Sequence, residues 1–405
     1  MVKAAVLGFG TVGSGVVEVL TTNHDSIKER SGADIEVKYV LDLREFPGNP
    51  VEKVLVHDFN TIVNDPEVDI VVETMGGLHP AYDFTKAALE AGKTVCTSNK
   101  AVVAEFGNEL LETAKANGVS YLFEASCGGG IPIIRPLCTS LTGDVIEEVT
   151  GILNGTTNYI LTKMADDGSS FEDALKEAQA NGFAEANPEA DIEGHDACRK
   201  IAILSSLAYG HFVDFKEVQT EGITKITSDD IKYAKAIGAS IKLLATSRRT
   251  TDGIYAMVSP KMVAPSDPLF SVNGVFNAIF VRGNMLGDSM FYGSGAGKLP
   301  TASAVVGDVV DAAKHLHQTL DMTWRPEKLE LLGLGDVTNR FFVRVNGSAE
   351  EKLSAIRAIY GDVEVVTVPE LSGEFAILTA PMKEAAFAAA AEKTEGFISF
   401  IRLNF

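Results

Sequence analysis

Lys3-Ala4-Ala5-Val6-Leu7-Gly8-Phe9-Gly10-Thr11-Val12-Gly13-Ser14-Gly15-Val16-Val17-Glu18-Val19-Leu20 places a short apolar run, a glycine-spaced turn and a helix-forming stretch in direct succession. Strand, turn and helix in that order make the first part of a βαβ unit. Within it, Gly8-x-Gly10-x-x-Gly13 matches the dinucleotide fingerprint in spacing and in place. The first glycine makes the tight turn, and the second lets backbone amides approach a pyrophosphate. The third lets helix and strand pack closely. The helix N-terminus adds partial positive charge facing the phosphates. An ordinary glycine turn is the weaker reading, because the motif lies between a strand and a helix at the head of an α/β stretch.

Working outward, residues 35–41, 69–72, 94–97 and 120–123 are further runs with strand character, separated by helix candidates at 80–91 and 101–117. Gly118 stops the second helix just before the next run. The fold class expected is α/β, with residues 1–133 forming a Rossmann-like dinucleotide-binding domain on a parallel sheet. From 134 to 298 the texture changes. Strand-like 147–153, 254–260, 274–283 and 288–292 alternate with long connections, and a helix is expected at 196–209. An α+β substrate domain is expected there, and the family resemblance given below adds dimerisation to its expected role. A helix at 302–318 follows a second glycine cluster, Gly293-x-Gly295-x-Gly297, and is expected to pack back onto the first domain through 299–320. Residues 338–405 read as β-α-β-β-α-β, the ferredoxin-like order.

Charge excludes one class of partner. The chain has 405 residues and a net charge of −20, with no cluster of basic residues, so counterion release from nucleic acid has no source. No apolar run reaches the length needed to span a bilayer, and Glu18 and the glycines disrupt any signal-peptide core. The four cysteines, Cys96, Cys127, Cys138 and Cys198, form no CxxC pair. A soluble, reduced, cytoplasmic protein is expected.

The second chemical signal lies in residues 182–200, where five carboxylates (Glu185, Glu189, Asp191, Glu193 and Asp196) fall within twelve residues. No register puts Gly sixth and Glu twelfth, so a calcium loop fails. Asp196 and Lys200 stand four apart at the head of a helix, on one face. Exposed, they would be a surface ion pair of little consequence. In a cleft they would be a catalytic pair, because oxidising an alcohol with a nicotinamide requires moving the hydroxyl proton as hydride leaves the carbon. The neighbouring carboxylates suit a substrate bearing an ammonium group.

Two further features stay open at this level. Asp42 and Arg44 end the second strand: the acid would bond the ribose hydroxyls of NAD, the guanidinium would clamp a 2′-phosphate of NADP, and the two could simply pair with each other. The cluster ending at Gly297 lacks the Lys-Ser/Thr of a phosphate loop, leaving a backbone surface for the cofactor or a plain hairpin exit. His79 and His195 are read as structural.

The chain resembles the homoserine dehydrogenase family over residues 1–318. The resemblance rests on Gly8-x-Gly10-x-x-Gly13, Glu73-Thr74-Met75-Gly76-Gly77, Ser98-Asn99-Lys100-Ala101, Glu124 with Gly128-Gly129-Gly130-Ile131-Pro132, 151–158, Gly182-Phe183-Ala184-Glu185 through Asp196 and Lys200, and Gly293-x-Gly295-x-Gly297, all in order. The resemblance implies Lys200 as the acid/base, with Asp196 orienting it and contacting substrate. Glu185 would hold the substrate ammonium, supported by Asp191, and Lys100 would lie near both nicotinamide and substrate. Phe9, Thr11, Val12, Thr74, Gly182 and Gly297 fall where the family contacts the dinucleotide, and they join Gly8, Gly10 and Gly13 of the fingerprint and Arg44 at the second strand's tip as the candidate cofactor-binding set. A monovalent cation, sodium in most members, would be held by the Glu124 side chain and the carbonyls of Cys127, Gly129 and Ile131. The Cys127 thiol itself is then a buried bystander.

On that resemblance the expected activity is NAD(P)-dependent interconversion of L-aspartate 4-semialdehyde and L-homoserine, on the path to threonine and methionine, in a homodimer or homotetramer. The C-terminal unit resembles an ACT domain, but its loop 344–351 departs from the usual ligand-binding pattern, which weakens an effector role. Another amino-acid-pathway oxidoreductase should lack the 185–200 constellation, and a non-catalytic dinucleotide sensor should lack the lysine.

Overall fold

Ala4, Ala5, Val6 and Leu7 are all fully buried, because a strand covered on both faces needs apolar residues at every position. The computed structural model, which describes residues 1–320 and 322–405, makes this run the strand Val2–Leu7 near the centre of a six-stranded parallel sheet. The strands lie in the order Leu55–Val56, Ile35–Leu41, Val2–Leu7, Ile70–Glu73, Thr94–Thr97, Tyr121–Leu122. Strand order reverses beside Val2–Leu7, and the helix Thr11–Thr22 leaves the sheet there. That crevice is where open α/β sheets take their ligands.

The helix that returns to this sheet is Lys298–Lys314, four residues earlier at each end than the sequence suggests. Pro300 sits in the first turn, where an amide has no intrahelical partner, and is tolerated there. Gly15 makes the packing possible, since an added Cβ would lie 2.9 Å from the Ala302 Cβ.

A second sheet runs through the rest of the chain. Its main path is Gly287–Ser294, Phe276–Gly283, Ile146–Ile152, Ser240–Arg249, Ile254–Val263, Phe397–Leu403, Thr338–Asn346, Glu374–Thr379, Val363–Val366. Ser240–Arg249 was not anticipated. It pairs antiparallel with Ile254–Val263 from Ser240↔Val263 to Arg249↔Ile254. Its residues 241–247 are buried without alternation, Lys242, Thr246 and Ser247 included, so no period-two pattern marks it. The helix Ser228–Ala236, closed by a Thr227–Asp230 capping box, also went unread.

Residues 338–403 do form β-α-β-β-α-β, with strands in the spatial order fourth, first, third, second. They do not stand apart as a tethered module. Lys261↔Arg402 and Met262↔Leu403 pair in parallel, so the unit extends the same sheet. Among the described residues no helix is long and apolar enough to cross a membrane.

Candidate active site

A cleft of about 590 Å³ opens between the two sheets, bordered by Val12, Lys100, Glu185, Asp196, Lys200 and Gly297 among others. The helix His195–Tyr209 delivers two of these from its first turns. Gly194, at φ +81°, turns the chain sharply before it, a conformation that a side chain would strain. Asp196 and Lys200 then share one face, with side chains only 7% and 10% exposed. The surface-pair reading is therefore wrong for this geometry.

The Lys200 ammonium donates to Asp196 Oδ2 at 2.7 Å and to the Leu153 carbonyl at 2.7 Å. Lys100 Nζ approaches Asp196 Oδ1 at 3.0 Å. Asn154 Nδ2 donates to Asp196 Oδ2 at 3.0 Å and to Asp191 Oδ1 at 2.7 Å. Burial by itself would raise the Asp196 carboxyl. The Lys200 and Lys100 ammonium groups and the Asn154 amide outweigh it and hold Asp196 well below the usual carboxylate range. Asp191 shifts the other way, raised by burial and then by the nearby Asp196 charge. The Lys100 pKa is raised, chiefly by Asp196. Glu185 is exposed and borders the same cleft as Asp191.

At the other end of the cleft, Gly10 caps the helix Thr11–Thr22 without any side-chain hydrogen bond, and an added Cβ there meets nothing within 4 Å. Free amides facing open space suit a pyrophosphate. A Cβ at Gly13 would overlap the Gly8 carbonyl oxygen and come 2.7 Å from Thr74 Oγ1. Thr74 Oγ1 itself donates towards the Leu7 and Gly8 carbonyls at 3.0 and 3.1 Å. Asp42 and Arg44 do pair: Arg44 Nε and Nη2 reach the two Asp42 oxygens at 2.9 and 2.8 Å, and the Phe9 amide takes Asp42 Oδ2 at 2.8 Å.

Behind this floor lies Glu73, fully buried. Its oxygens accept from the Met75 amide at 2.7 Å and Thr97 Oγ1 at 2.6 Å. Burial pushes its carboxyl up to about 7. The Thr97 hydroxyl accepts from the Asn99 amide, and Asn99 caps the helix that starts at Lys100.

The Glu124 side chain is tied into its own loop. Both Glu124 side-chain oxygens are engaged by backbone amides, Ile133 and Ile134 on Oε1 at 2.6 and 2.8 Å and Arg135 on Oε2 at 2.8 Å. A carboxylate held this way anchors the loop, and with a single amide on Oε2 it keeps acceptor capacity there. The amides after Pro132 claim it because they start a helical turn and have no other partner. The carbonyls of Cys127, Gly129 and Ile131 accept no hydrogen bond among the described residues, so they remain suited to a hard cation. The described residues contain no cluster of three or more His, Cys, Asp or Glu side chains able to hold a metal.

Comparison with known proteins bears on the whole arrangement. Residues 8–124 match the profile described as homoserine dehydrogenase, NAD binding domain, and residues 132–310 match that described as homoserine dehydrogenase. The chain belongs to the homoserine dehydrogenase family. A homoserine dehydrogenase from Neisseria gonorrhoeae is 41% identical over 359 residues, covering 86% of this chain and 82% of the relative. The crystal structure of one from Thiobacillus denitrificans superposes with a TM-score of 0.90 at 36% identity, covering 100% of this chain and 98% of that one. A hyperthermophilic archaeal homoserine dehydrogenase in complex with NADPH superposes with a TM-score of 0.65 at 29% identity, over 77% of this chain and 97% of its own. The family's nicotinamide-binding domain is thus the first sheet with its glycine turn.

Lys200, Asp196, Asp191, Lys100 and Glu185 all border one cleft, and Val12, Gly182 and Gly297 border it too. His195 is exposed outside it, and His79 bonds Asp83 at 2.8 Å. Sequence reading assigned no role to Asn154, Leu153 or Glu73. Asn154 was legible as a helix cap, which it is for Gly155–Asp167, but its second contact crosses 42 residues.

Proposed function

We propose that this homoserine dehydrogenase interconverts L-homoserine and L-aspartate 4-semialdehyde with Lys200 as the acid/base, and that residues 1–133 with 299–320 serve the cofactor while 134–298 serve the substrate. One observation carries the mechanism. A lysine ammonium has three N–H donors, and Lys200 uses two, on Asp196 and the Leu153 carbonyl, at the wall of the cleft. The third is available to a substrate oxygen. A reduced nicotinamide, when bound, supplies the hydride to the aldehyde carbon.

The chain's own residues do the rest. Lys200 donates a proton to the carbonyl oxygen as it gains charge, and the two lysines together offset that charge in a part-buried site. Asp196 stays ionised and fixes both ammonium groups. Glu185 and Asp191 face the substrate's ammonium end, and Asn154 keeps Asp191 beside Asp196. The carbonyls of Cys127, Gly129 and Ile131 would hold a monovalent cation, with Glu124 fastening the loop that presents them.

The nucleotide end favours NADP. Both Asp42 oxygens are occupied, so the ribose 2′-hydroxyl finds no free carboxylate, while Arg44 is exposed with Nη1 unused. The C-terminal unit is ACT-like, and exposed Met290 and Tyr292 on the edge strand Gly287–Ser294, with exposed Phe276 stacked on Tyr292, support a dimer or tetramer. The test follows reduced-cofactor absorbance with homoserine and each cofactor. Near-full turnover by a Lys200→Ala variant would overturn the mechanism, and an Arg44→Ala variant that keeps its NADP-over-NAD ratio would overturn the cofactor assignment.

A further inference from the structure

Arg402, in Phe397–Leu403, is 2% exposed and binds two carboxylates at once. Its Nε and Nη2 reach Glu384 at 2.6 and 2.9 Å, and its Nη1 and Nη2 reach Glu221 at 2.7 and 2.9 Å. Glu384 belongs to the C-terminal unit. Glu221 does not: it follows Gln219–Thr220, which pairs with Met257↔Gln219 and Val258↔Thr220, and its amide donates to the Val258 carbonyl at 2.8 Å.

A Cβ on Gly222 would overlap the Ile192 carbonyl oxygen and lie 2.5 Å from the Glu193 Cα, so two backbones touch there. The Ile223 amide donates to that same Ile192 carbonyl at 2.8 Å. A Cβ on Gly194 would meet Thr220 Cγ2 at 3.1 Å and the Glu221 carbonyl at 3.5 Å. Residues 219–223 therefore press against the turn 192–194, which separates Asp191 from Asp196. A fixed turn fixes the spacing of those carboxylates.

We propose that Glu221, clamped by Arg402, is a positioning residue for the reaction, holding the 192–194 turn so that Asp191 keeps the place the substrate's ammonium end requires. The inference rests on the function proposed above. It makes the C-terminal unit part of the active-site scaffold through one guanidinium. A second ionic cluster crosses the same seam without touching that turn: Arg344 binds Asp230 at 2.9 Å and Glu374 at 2.9 and 3.0 Å.

The experiment compares Glu221→Ala, Glu221→Gln and Glu374→Ala in the full chain by steady-state kinetics and thermal midpoint. Glu221→Ala should raise the KM for homoserine about 10-fold with kcat and cofactor KM changed less than about threefold. Glu221→Gln, which can still accept from Arg402, should recover most of it. Glu374→Ala should lower the thermal midpoint and leave the homoserine KM unchanged. An unchanged KM in Glu221→Ala, or an equal rise in Glu374→Ala, overturns the proposal. If Glu221→Ala does not fold, Arg402→Lys takes its place, and an unchanged homoserine KM there overturns it equally. Absence of homoserine turnover in the unaltered enzyme would instead refute the proposed function.

Discussion

Each charged side chain at the cleft wall has its partners chosen by geometry within a few ångströms. Lys200 is tied at two of three donors, so removing it should abolish proton transfer and leave cofactor binding intact. Lys200→Met is expected to lower kcat roughly a hundred- to ten-thousand-fold while cofactor affinity, read by fluorescence titration, stays constant. Asn154→Ala removes the amide between Asp191 and Asp196 and also a helix cap. It should raise the KM for homoserine and cost about 1 kcal/mol of stability, measured by urea unfolding. Glu73 gives a pH signature. Its folded carboxyl sits at about 7 against an ordinary 4.5, so the folded state holds its proton more tightly. Its contribution is complete below about 4.5 and is lost as pH rises through about 7. A Glu73→Gln variant, which cannot ionise, should therefore gain stability relative to the parent across that window. Thermal midpoints that stay parallel from acid to neutral pH would refute the shift.

Among the elements, the glycine turn is legible because its chemistry is local: three glycines in one turn, a strand before and a helix after. Gly13→Ala should clash with the Gly8 carbonyl, forcing helix Thr11–Thr22 off its strand. Cofactor KM should rise at least tenfold with a lowered thermal midpoint, and unchanged cofactor kinetics would contradict the close packing. Ser240–Arg249 was illegible for the opposite reason. Burial on both faces removes alternation, and its lysine is accommodated only because Nζ finds the Val272 carbonyl at 2.6 Å and Asn273 Oδ1 at 2.7 Å. No local signal announces partners thirty residues away.

At the scale of the molecule, one sheet joins the strands between Ile146 and Ser294 to the C-terminal unit. Calorimetry should show these two parts unfolding in a single transition, and two well-separated transitions would contradict the continuity. Arg344 is one buried charge that ties the two parts together. With Arg344→Met, Asp230, 1% exposed, loses its charge partner, and stability should fall by about 3 kcal/mol in urea unfolding.

By itself the sequence determined the parallel dinucleotide sheet, the order of the C-terminal elements, and the Asp196–Lys200 pair, because each is written within one turn or a few residues. Tertiary structure decided the rest. Only folding set whether that pair was a surface bridge or a cleft wall, turned the Glu124 carboxylate to the 133–135 amides, paired Asp42 with Arg44, and fused the last strand to Ile254–Val263. Those outcomes depend on burial and on partners distant in sequence, which spacing along the chain does not encode.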